Sequence, residues 1–82
     1  MQKKVLYEIQ RNKDERIQFS IGSYKDRMYI DMRIFYTDQM SGELKPTKKG
    51  LTIPVTLLAQ FQNAISVCEK SNLAKEKNAT LS

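Results

Sequence analysis

The chain has 82 residues, in which 14 lysine and arginine side chains oppose 9 acidic ones to give a net charge of +5. A chain of this length forms one domain with a small core, and its basic surface favours an anionic partner. With no histidine and one cysteine, Cys68, the sequence excludes a zinc-finger pattern, a histidine general base and an intramolecular disulfide.

The first part of the chain alternates between apolar and polar residues, as strands do. Residues 5–10 alternate weakly and predict a first strand, which a highly charged connector at 11–15 follows. Residues 16–22 alternate strictly and predict a half-buried second strand. Glycine, serine, lysine and aspartate between 22 and 26 then supply the chemistry of a turn.

The third strand, predicted over residues 27–36, has two unlike sides. One side carries apolar side chains, namely Met28, Ile30, Met32 and Ile34. The other side carries charges and rings, namely Arg27, Tyr29, Asp31, Arg33 and Phe35. Aromatic rings beside fixed cations suit a flexible polyanion whose bases are free to stack. The pattern therefore indicates a single-stranded nucleic acid as the partner.

A polar connection containing Gly42 leads to a short fourth strand, predicted over residues 47–53. Pro46 cannot donate a hydrogen bond to a strand ladder, so we expect this strand to begin irregularly or to lie at an edge. If the third and fourth strands are neighbours, Lys48 and Lys49 extend the charged side of the third strand.

An amphipathic helix is predicted over residues 54–70, where apolar residues recur at three- and four-residue spacing after Pro54. We expect its apolar stripe to cover the apolar side of the sheet, with a remainder available to pair with a second subunit. Residues 71–82 are polar and are expected to fray as a tail. Residues 1–70 therefore form one two-layer α+β domain, whose charged side stays open.

Each part of this charged side also has a purely structural explanation. Tyr29 can pair across strands, and Arg33 can pair with Asp31 or Asp26. Lys48 and Lys49 can protect an edge strand from aggregation. Their coincidence on one uncovered side is what favours binding.

The order of these features resembles the single-stranded DNA-binding domain of the positive cofactor four family of transcriptional coactivators. The resemblance covers residues 16–61 and rests on Tyr-Lys at 24–25, Ile-Asp-Met-Arg at 30–33, Tyr36, and Gly-Glu-Leu-Lys-Pro-Thr-Lys-Lys-Gly-Leu at 42–51. The last of these contains Lys-Pro-x-basic-Lys-Gly ahead of a short strand and a helix, which is a fairly specific motif.

The resemblance implies a homodimer of curved, antiparallel four-stranded sheets, whose helices help to form the interface and whose sheet faces each hold an unpaired DNA strand. It places the family's stacking aromatics at Tyr24 and Tyr36. It places the cations that contact the DNA backbone at Lys25, Arg27, Arg33, Lys48 and Lys49. Arg11 is a further candidate, depending on how the longer 11–15 connector is aligned, while Gly22 stands where a basic residue is common.

For Tyr36 the alternation and the resemblance disagree. Strict alternation puts Tyr36 on the side of Met28 and Ile30, whereas the resemblance requires it near the nucleic acid. A bulge or bend after Arg33 would reconcile the two. Without that distortion, Phe35 is the stacking ring.

The predicted function is non-enzymatic, largely sequence-independent binding of single-stranded DNA in support of transcription, replication, recombination or repair. RNA and melted duplex are further ligands of the same kind. The alternative is a protein-interaction module whose basic face docks an acidic partner. An enzyme is disfavoured because Asp31, Asp38 and Glu43 show no catalytic spacing and Cys68 lies in the apolar stripe of the helix.

No cofactor, metal or small-molecule substrate is indicated by any motif. No apolar run approaches the roughly 20 residues of a membrane span, and residues 1–10 lack the hydrophobic segment of a secretory signal. We therefore expect a cytoplasmic protein with no membrane partner.

Overall fold

Four antiparallel strands form one curved sheet in which strands consecutive in sequence are neighbours, and a C-terminal helix follows, as predicted. The computed structural model describes the backbone of residues 2–78 and the side chains of residues 3–72. The strands are β1 at Gln2–Gln10, β2 at Glu15–Tyr24, β3 at Arg27–Thr37 and β4 at Leu44–Pro54. A 3-10 turn at Val55–Leu57 leads directly into the helix, α1, at Leu58–Asn78.

The hairpin between β2 and β3 turns through two residues only. Tyr24 pairs with Arg27 across the hairpin, and the two residues between them, Lys25 and Asp26, have φ angles of 50° and 64°. Two successive positive φ values define the tight turn whose twist matches that of the flanking strands. This hairpin keeps β2 and β3 in an unbroken register back to the Glu15–Tyr36 pair.

Cross-strand pairing divides the sheet into two faces. The polar face carries Arg16, Gln18, Ser20, Gly22 and Tyr24 of β2, Arg27, Tyr29, Asp31, Arg33 and Phe35 of β3, Lys3 of β1 and Thr52 of β4. The apolar face carries Ile17, Phe19, Ile21, Met28, Ile30, Met32, Ile34, Leu51 and Ile53, with Tyr7 and Ile9 of β1. On that face the Tyr7 and Phe19 rings meet edge to face, with centroids 6.4 Å apart.

The pairing of β3 with β4 contains an irregularity. Arg33 pairs with Gly50 and Phe35 with Pro46, so residues 47–49 of β4 lie opposite the single residue Ile34. Pro46 thus lies beside an irregular part of an edge strand, in agreement with its missing N–H group. Gly50 closes the irregularity, because a Cβ there would lie 2.7 Å from the Met32 carbonyl oxygen.

Helix α1 does not cover the sheet, so the prediction that its stripe covers the apolar face of its own subunit is wrong. The helix contacts the 3-10 turn, and within residues 2–78 it makes no substantial contact with any strand. Ile65 and Val67 are 62% and 58% exposed. The physical reason is that the turn continues into α1 without a loop, which leaves no segment in which the chain could reverse over the sheet.

The single chain therefore buries little apolar surface. Among the apolar side chains of the described region, Ile53 alone is buried, with 4% of its surface exposed. The radius of gyration is 15.9 Å, against about 12 Å for a compact domain of this length. Both the apolar face and the helix are left open to solvent.

The elements run further than predicted at several ends. The strands predicted over 5–10 and 47–53 begin three residues earlier, at Gln2 and Leu44, because pairing with the neighbouring strand continues there. The segment predicted to fray from residue 71 is helical to Asn78, since it contains lysine, glutamate, alanine and leucine but no glycine or proline. Residues 79–82 of the predicted tail lie outside the described residues.

Across residues 2–78, no helix combines the length and the apolar character that a bilayer span requires.

Candidate nucleic-acid interface

The β2–β3 hairpin places a ring and two cations at one end of the polar face. Tyr24 is 51% exposed, and the ammonium nitrogen of Lys25 lies 5.3 Å from the centroid of its ring. Arg27 pairs with Tyr24 across the turn and is exposed. Neither cation forms an ion pair within the described residues, so both charges are available to an anion.

A network around Asp31 occupies the centre of the polar face. Asp31 is 4% exposed, and it accepts hydrogen bonds from Arg33 through both carboxylate oxygens and from the Thr52 hydroxyl at 2.6 Å. The ammonium group of Lys3 lies 3.5 Å away. Burial opposes ionisation, but these bonds and the nearby positive charges outweigh it and hold the pKa of Asp31 below its ordinary value. The alternative that Arg33 pairs with Asp31 is therefore confirmed.

Arg33 also fixes the irregular part of β4. Its Nη1 donates to the Thr47 carbonyl at 3.1 Å, while the Thr47 hydroxyl donates to the Ile34 carbonyl at 2.7 Å. The same hydroxyl accepts a hydrogen bond from the Lys49 amide at 3.1 Å. Residues 47–49 are thus held against β3, with Lys48 and Lys49 both exposed.

The connector between β1 and β2 lies at the opposite end of the sheet from the Tyr24 hairpin. The side-chain oxygen of Asn12 accepts hydrogen bonds from the Asp14 and Glu15 amides, which holds the connector in a turn. Arg11 pairs with Glu15 at 2.7 Å. The hydrogen bond from Asn12 and the charge of Arg11 lower the pKa of Glu15. Arg11, the weakest of the predicted cations, is therefore engaged with a carboxylate of its own chain.

Tyr36 lies beside this connector and borders an open cleft of about 700 Å³. The cleft is lined by Asn12, Lys13, Asp14, Glu15, Tyr36, Thr37 and Thr47. The irregularity expected after Arg33 is present, but its extra residues belong to β4, and β3 keeps its alternation against β2. Tyr36, at 39% exposed, therefore stays in the alternation of the apolar face, and Phe35 belongs to the polar face opposite Arg16 and Pro46.

The predicted site residues form a strip along β3 rather than one cluster. Tyr24, Lys25 and Arg27 lie at one end, and Arg33 lies further along β3, beside the segment that carries Lys48 and Lys49. Tyr36 lies at the other end but on the apolar face. The nine residue steps from Arg27 to Tyr36 span about 30 Å. An extended chain matches such a strip better than a compact ligand does.

Two basic residues near the predicted site escaped the sequence analysis. Lys3 lies before the predicted start of the first strand, and only the alternation of a longer strand would have assigned it to the polar face. Lys45 lies in β4 and pairs with Asp38 at 2.7 Å, a contact that also lowers the pKa of Asp38.

Comparison with known proteins identifies the family to which this chain belongs. Residues 11–64 match the family model of the transcriptional coactivator p15, or PC4. The chain belongs to the PC4 family. The match spans the connector, β2 to β4 and the start of α1, and it confirms the resemblance drawn from the sequence. A search of curated proteins finds no match.

Solved PC4 structures share this fold. The PC4 homolog BPSL1147 of Burkholderia pseudomallei has a TM-score of 0.75 at 29% identity, over 83% of this chain and 98% of its own. A homolog from bacteriophage T5, at 19% identity, has a TM-score of 0.56 over 98% of this chain and 100% of its own. MoSub1, solved in complex with DNA, has the same TM-score of 0.56 at 22% identity, over 93% and 90% of the two chains. At these two lower identities the likeness shows the fold alone.

Proposed function

We propose that this PC4-family chain binds single-stranded DNA on the polar face of its sheet, with little sequence preference and no enzymatic activity. The observation that carries the proposal is the set of cations that form no ion pair within the described residues and lie along one strip with an exposed ring: Lys25, Arg27, Lys48 and Lys49 with Tyr24. Such a combination neutralises phosphates and stacks on unpaired bases.

Arg33 adds a preorganised donor to this strip. Three of its five N–H groups are engaged by Asp31 and Thr47, and two remain. Because the carboxylate of Asp31 fixes the plane of the guanidinium group, these two N–H groups keep a constant direction toward a passing phosphate. Arg33 thus serves the binding surface while it also holds β4 in place.

The low sequence preference follows from the type of contact. Phosphate contacts are the same for every nucleotide, and every base offers a face on which Tyr24 can stack, together with a second ring that is either Phe35 or Tyr36. A duplex hides those faces, so unpaired strands are preferred. Two structural relatives support the proposal by what they bind or do: MoSub1 has been solved with single-stranded DNA, and the T5 homolog is implicated in recombination-dependent DNA replication. Holding opened strands in transcription, replication, recombination or repair is the corresponding role here.

The functional unit in this proposal is a homodimer. Helix α1 is about 32 Å long, yet its apolar residues Ile65 and Val67 are exposed, as is Leu57 of the preceding 3-10 turn, and the apolar face of the sheet is uncovered. Apolar surface on this scale is stabilised when another subunit covers it. A second copy of the chain supplies matching apolar surface by symmetry, and pairing would give two polar faces in one particle.

One experiment separates this proposal from the alternative of a protein-interaction module. Fluorescence anisotropy would compare a labelled oligothymidine of about 20 nucleotides with a duplex of matched length. We expect binding of the single strand and much weaker binding of the duplex. Indifference to both would overturn the proposal and favour a protein partner. Light scattering on the same sample is expected to give twice the 9.5 kDa of one chain, and a monomer would overturn the dimer.

A further inference from the structure

The polar face has a gap in its positive charge along β3. Between Arg27 and Arg33, the polar-face positions of β3 are Tyr29 and Asp31, and neither carries a positive charge. The six residue steps between the two arginines span about 20 Å. A nucleic acid that follows β3 would therefore pass an anionic side chain between the two arginines, with no cation from the same strand to meet its phosphates.

Lys3 of β1 reaches into this gap across the intervening strand. Lys3 is the cross-strand partner of Gly22, which has no side chain, and the next polar-face residue of β2 is Ser20. Both Gly22 and Ser20 are buried. These two small residues leave room for the Lys3 side chain to cross β2, and its ammonium nitrogen lies 3.5 Å from Asp31 Oδ2.

The side chains around Asp31 carry more positive charge than its carboxylate needs for neutralisation, and Lys3 supplies the excess. Arg33 already offsets the single negative charge of Asp31 through two hydrogen bonds, and Thr52 donates a third. Lys3 adds a further positive charge at a longer distance, and its side chain is 44% exposed, against 22% for Arg33. Its ammonium group can therefore remain near Asp31 while it donates to another anion.

We propose that Lys3 is a phosphate-binding residue of the interface, held over Gly22 by the carboxylate of Asp31. It provides the middle contact of a basic row whose ends are Arg27 and Arg33. The ligand it takes is one phosphodiester group of the bound strand, so this inference rests on the proposed single-stranded DNA binding.

The test compares two neighbouring lysines. Lys3→Ala and Lys4→Ala lower the net charge equally, but Lys4 pairs with Ile21 and belongs to the opposite face. With labelled oligothymidine, we expect Lys3→Ala to weaken binding by roughly threefold to tenfold at low salt and to reduce the slope of log K against log salt by about 0.7. Lys4→Ala should change the slope much less, and Lys3→Arg should restore it. Equal effects of the two alanine variants would overturn the inference.

A second measurement separates a ligand contact from a structural ion pair. Urea unfolding of Lys3→Ala reports any loss of stability from the contact with Asp31, while the salt slope reports only contacts with the DNA. A lower unfolding midpoint with an unchanged slope would show that Lys3 is structural only and would overturn the inference. If the unaltered protein failed to bind oligothymidine, the proposed function itself would fall. If it bound and the two lysine variants matched, the assignment of Lys3 alone would fall.

Discussion

Arg33 donates hydrogen bonds to both carboxylate oxygens of Asp31, from Nε at 3.1 Å and from Nη2 at 3.0 Å. The two residues are neighbours on the polar face of β3, and Asp31 is 4% exposed there. A bidentate pair of this kind orients the guanidinium group as well as neutralising the carboxylate. In the proposed function, Asp31 is therefore a positioning residue for Arg33.

Replacing Asp31 by asparagine tests this role, because a positioning role and simple electrostatics predict opposite changes in the affinity for DNA. Asp31→Asn removes one negative charge from the polar face, so a purely electrostatic surface would bind DNA more tightly. We expect weaker binding instead, because Arg33 loses its fixed orientation and the segment that it holds is released. Anisotropy titrations of the folded variant measure the change. Thr52→Val, which removes a hydrogen bond to Asp31 without changing the charge, is the control, and tighter binding by Asp31→Asn would contradict the role.

The lowered pKa of Asp31 predicts a loss of stability in acid. The pKa in the folded state lies below the ordinary value of 3.8, so the folded protein favours the ionised form more than the unfolded chain does. This contribution to stability is fully present above that ordinary value and is lost as the pH falls through the folded pKa. The urea concentration at the midpoint of unfolding should therefore decrease as the pH is lowered from 7 into the acid range.

Glu15 and Asp38 also have lowered pKa values, so part of the acid sensitivity should remain in Asp31→Asn. The share that Asp31 contributes is the difference between the pH profiles of the unaltered protein and of the variant. Superimposable profiles would contradict the prediction.

Gly50 is expected to tolerate no side chain. A Cβ at this position would lie 2.7 Å from the Met32 carbonyl oxygen and 2.9 Å from the Arg33 Cα, both of them backbone atoms that cannot rotate away. We expect Gly50→Ala to destabilise the protein by about 1 to 3 kcal/mol, as overpacking does. Urea unfolding measures the loss. Lys48→Ala, at an exposed position in the same strand, is the control and should leave the midpoint nearly unchanged. If Gly50→Ala had the same midpoint as the unaltered protein, β4 could move away from β3 at little cost in free energy, which would contradict the prediction.

Lys48 and Lys49 should account for a measurable share of the salt dependence. If about five phosphates are neutralised per polar face, log K should fall with log salt at a slope of about −3 to −4 on single strands. The double variant Lys48→Ala, Lys49→Ala should bind more weakly to all sequences and lose about 1.4 from that slope. A double alanine variant of Lys4 and Lys70, both exposed and away from the strip, matches the charge change. Similar slopes for the two double variants would contradict the site assignment.

Tyr36 and Phe35 are alternative stacking rings, and substitution separates them. We expect Tyr36→Ala to lose about 1 to 3 kcal/mol of binding free energy, because Tyr36 is 39% exposed at the rim of the cleft. Stacking does not depend on counterions, so the loss should persist at high salt. Anisotropy at two salt concentrations measures it for Tyr36→Ala and Phe35→Ala. A larger loss of binding free energy for Phe35→Ala would assign the stacking role to Phe35 on the polar face.

The features that the sequence determined are local ones. The two faces of β3 could be predicted because side chains alternate with a period of two whatever the strand pairs with. In the same way, the missing N–H group of Pro46 predicted that β4 begins irregularly or lies at an edge, and β4 is an edge strand. The family could be identified because its motifs are contiguous runs of residues.

Tertiary structure decided the features that depend on contacts between distant residues. The placement of Lys3 near Asp31 requires the register of β1 on β2 and the small side chains that lie between them. The extra residues of β4 are held by Arg33 and Thr47, which no periodicity reveals. The helix was assigned correctly from its apolar spacing, but that spacing shows only that one stripe needs covering. The direction of the chain after Pro54 decides that the sheet of the same chain does not cover it.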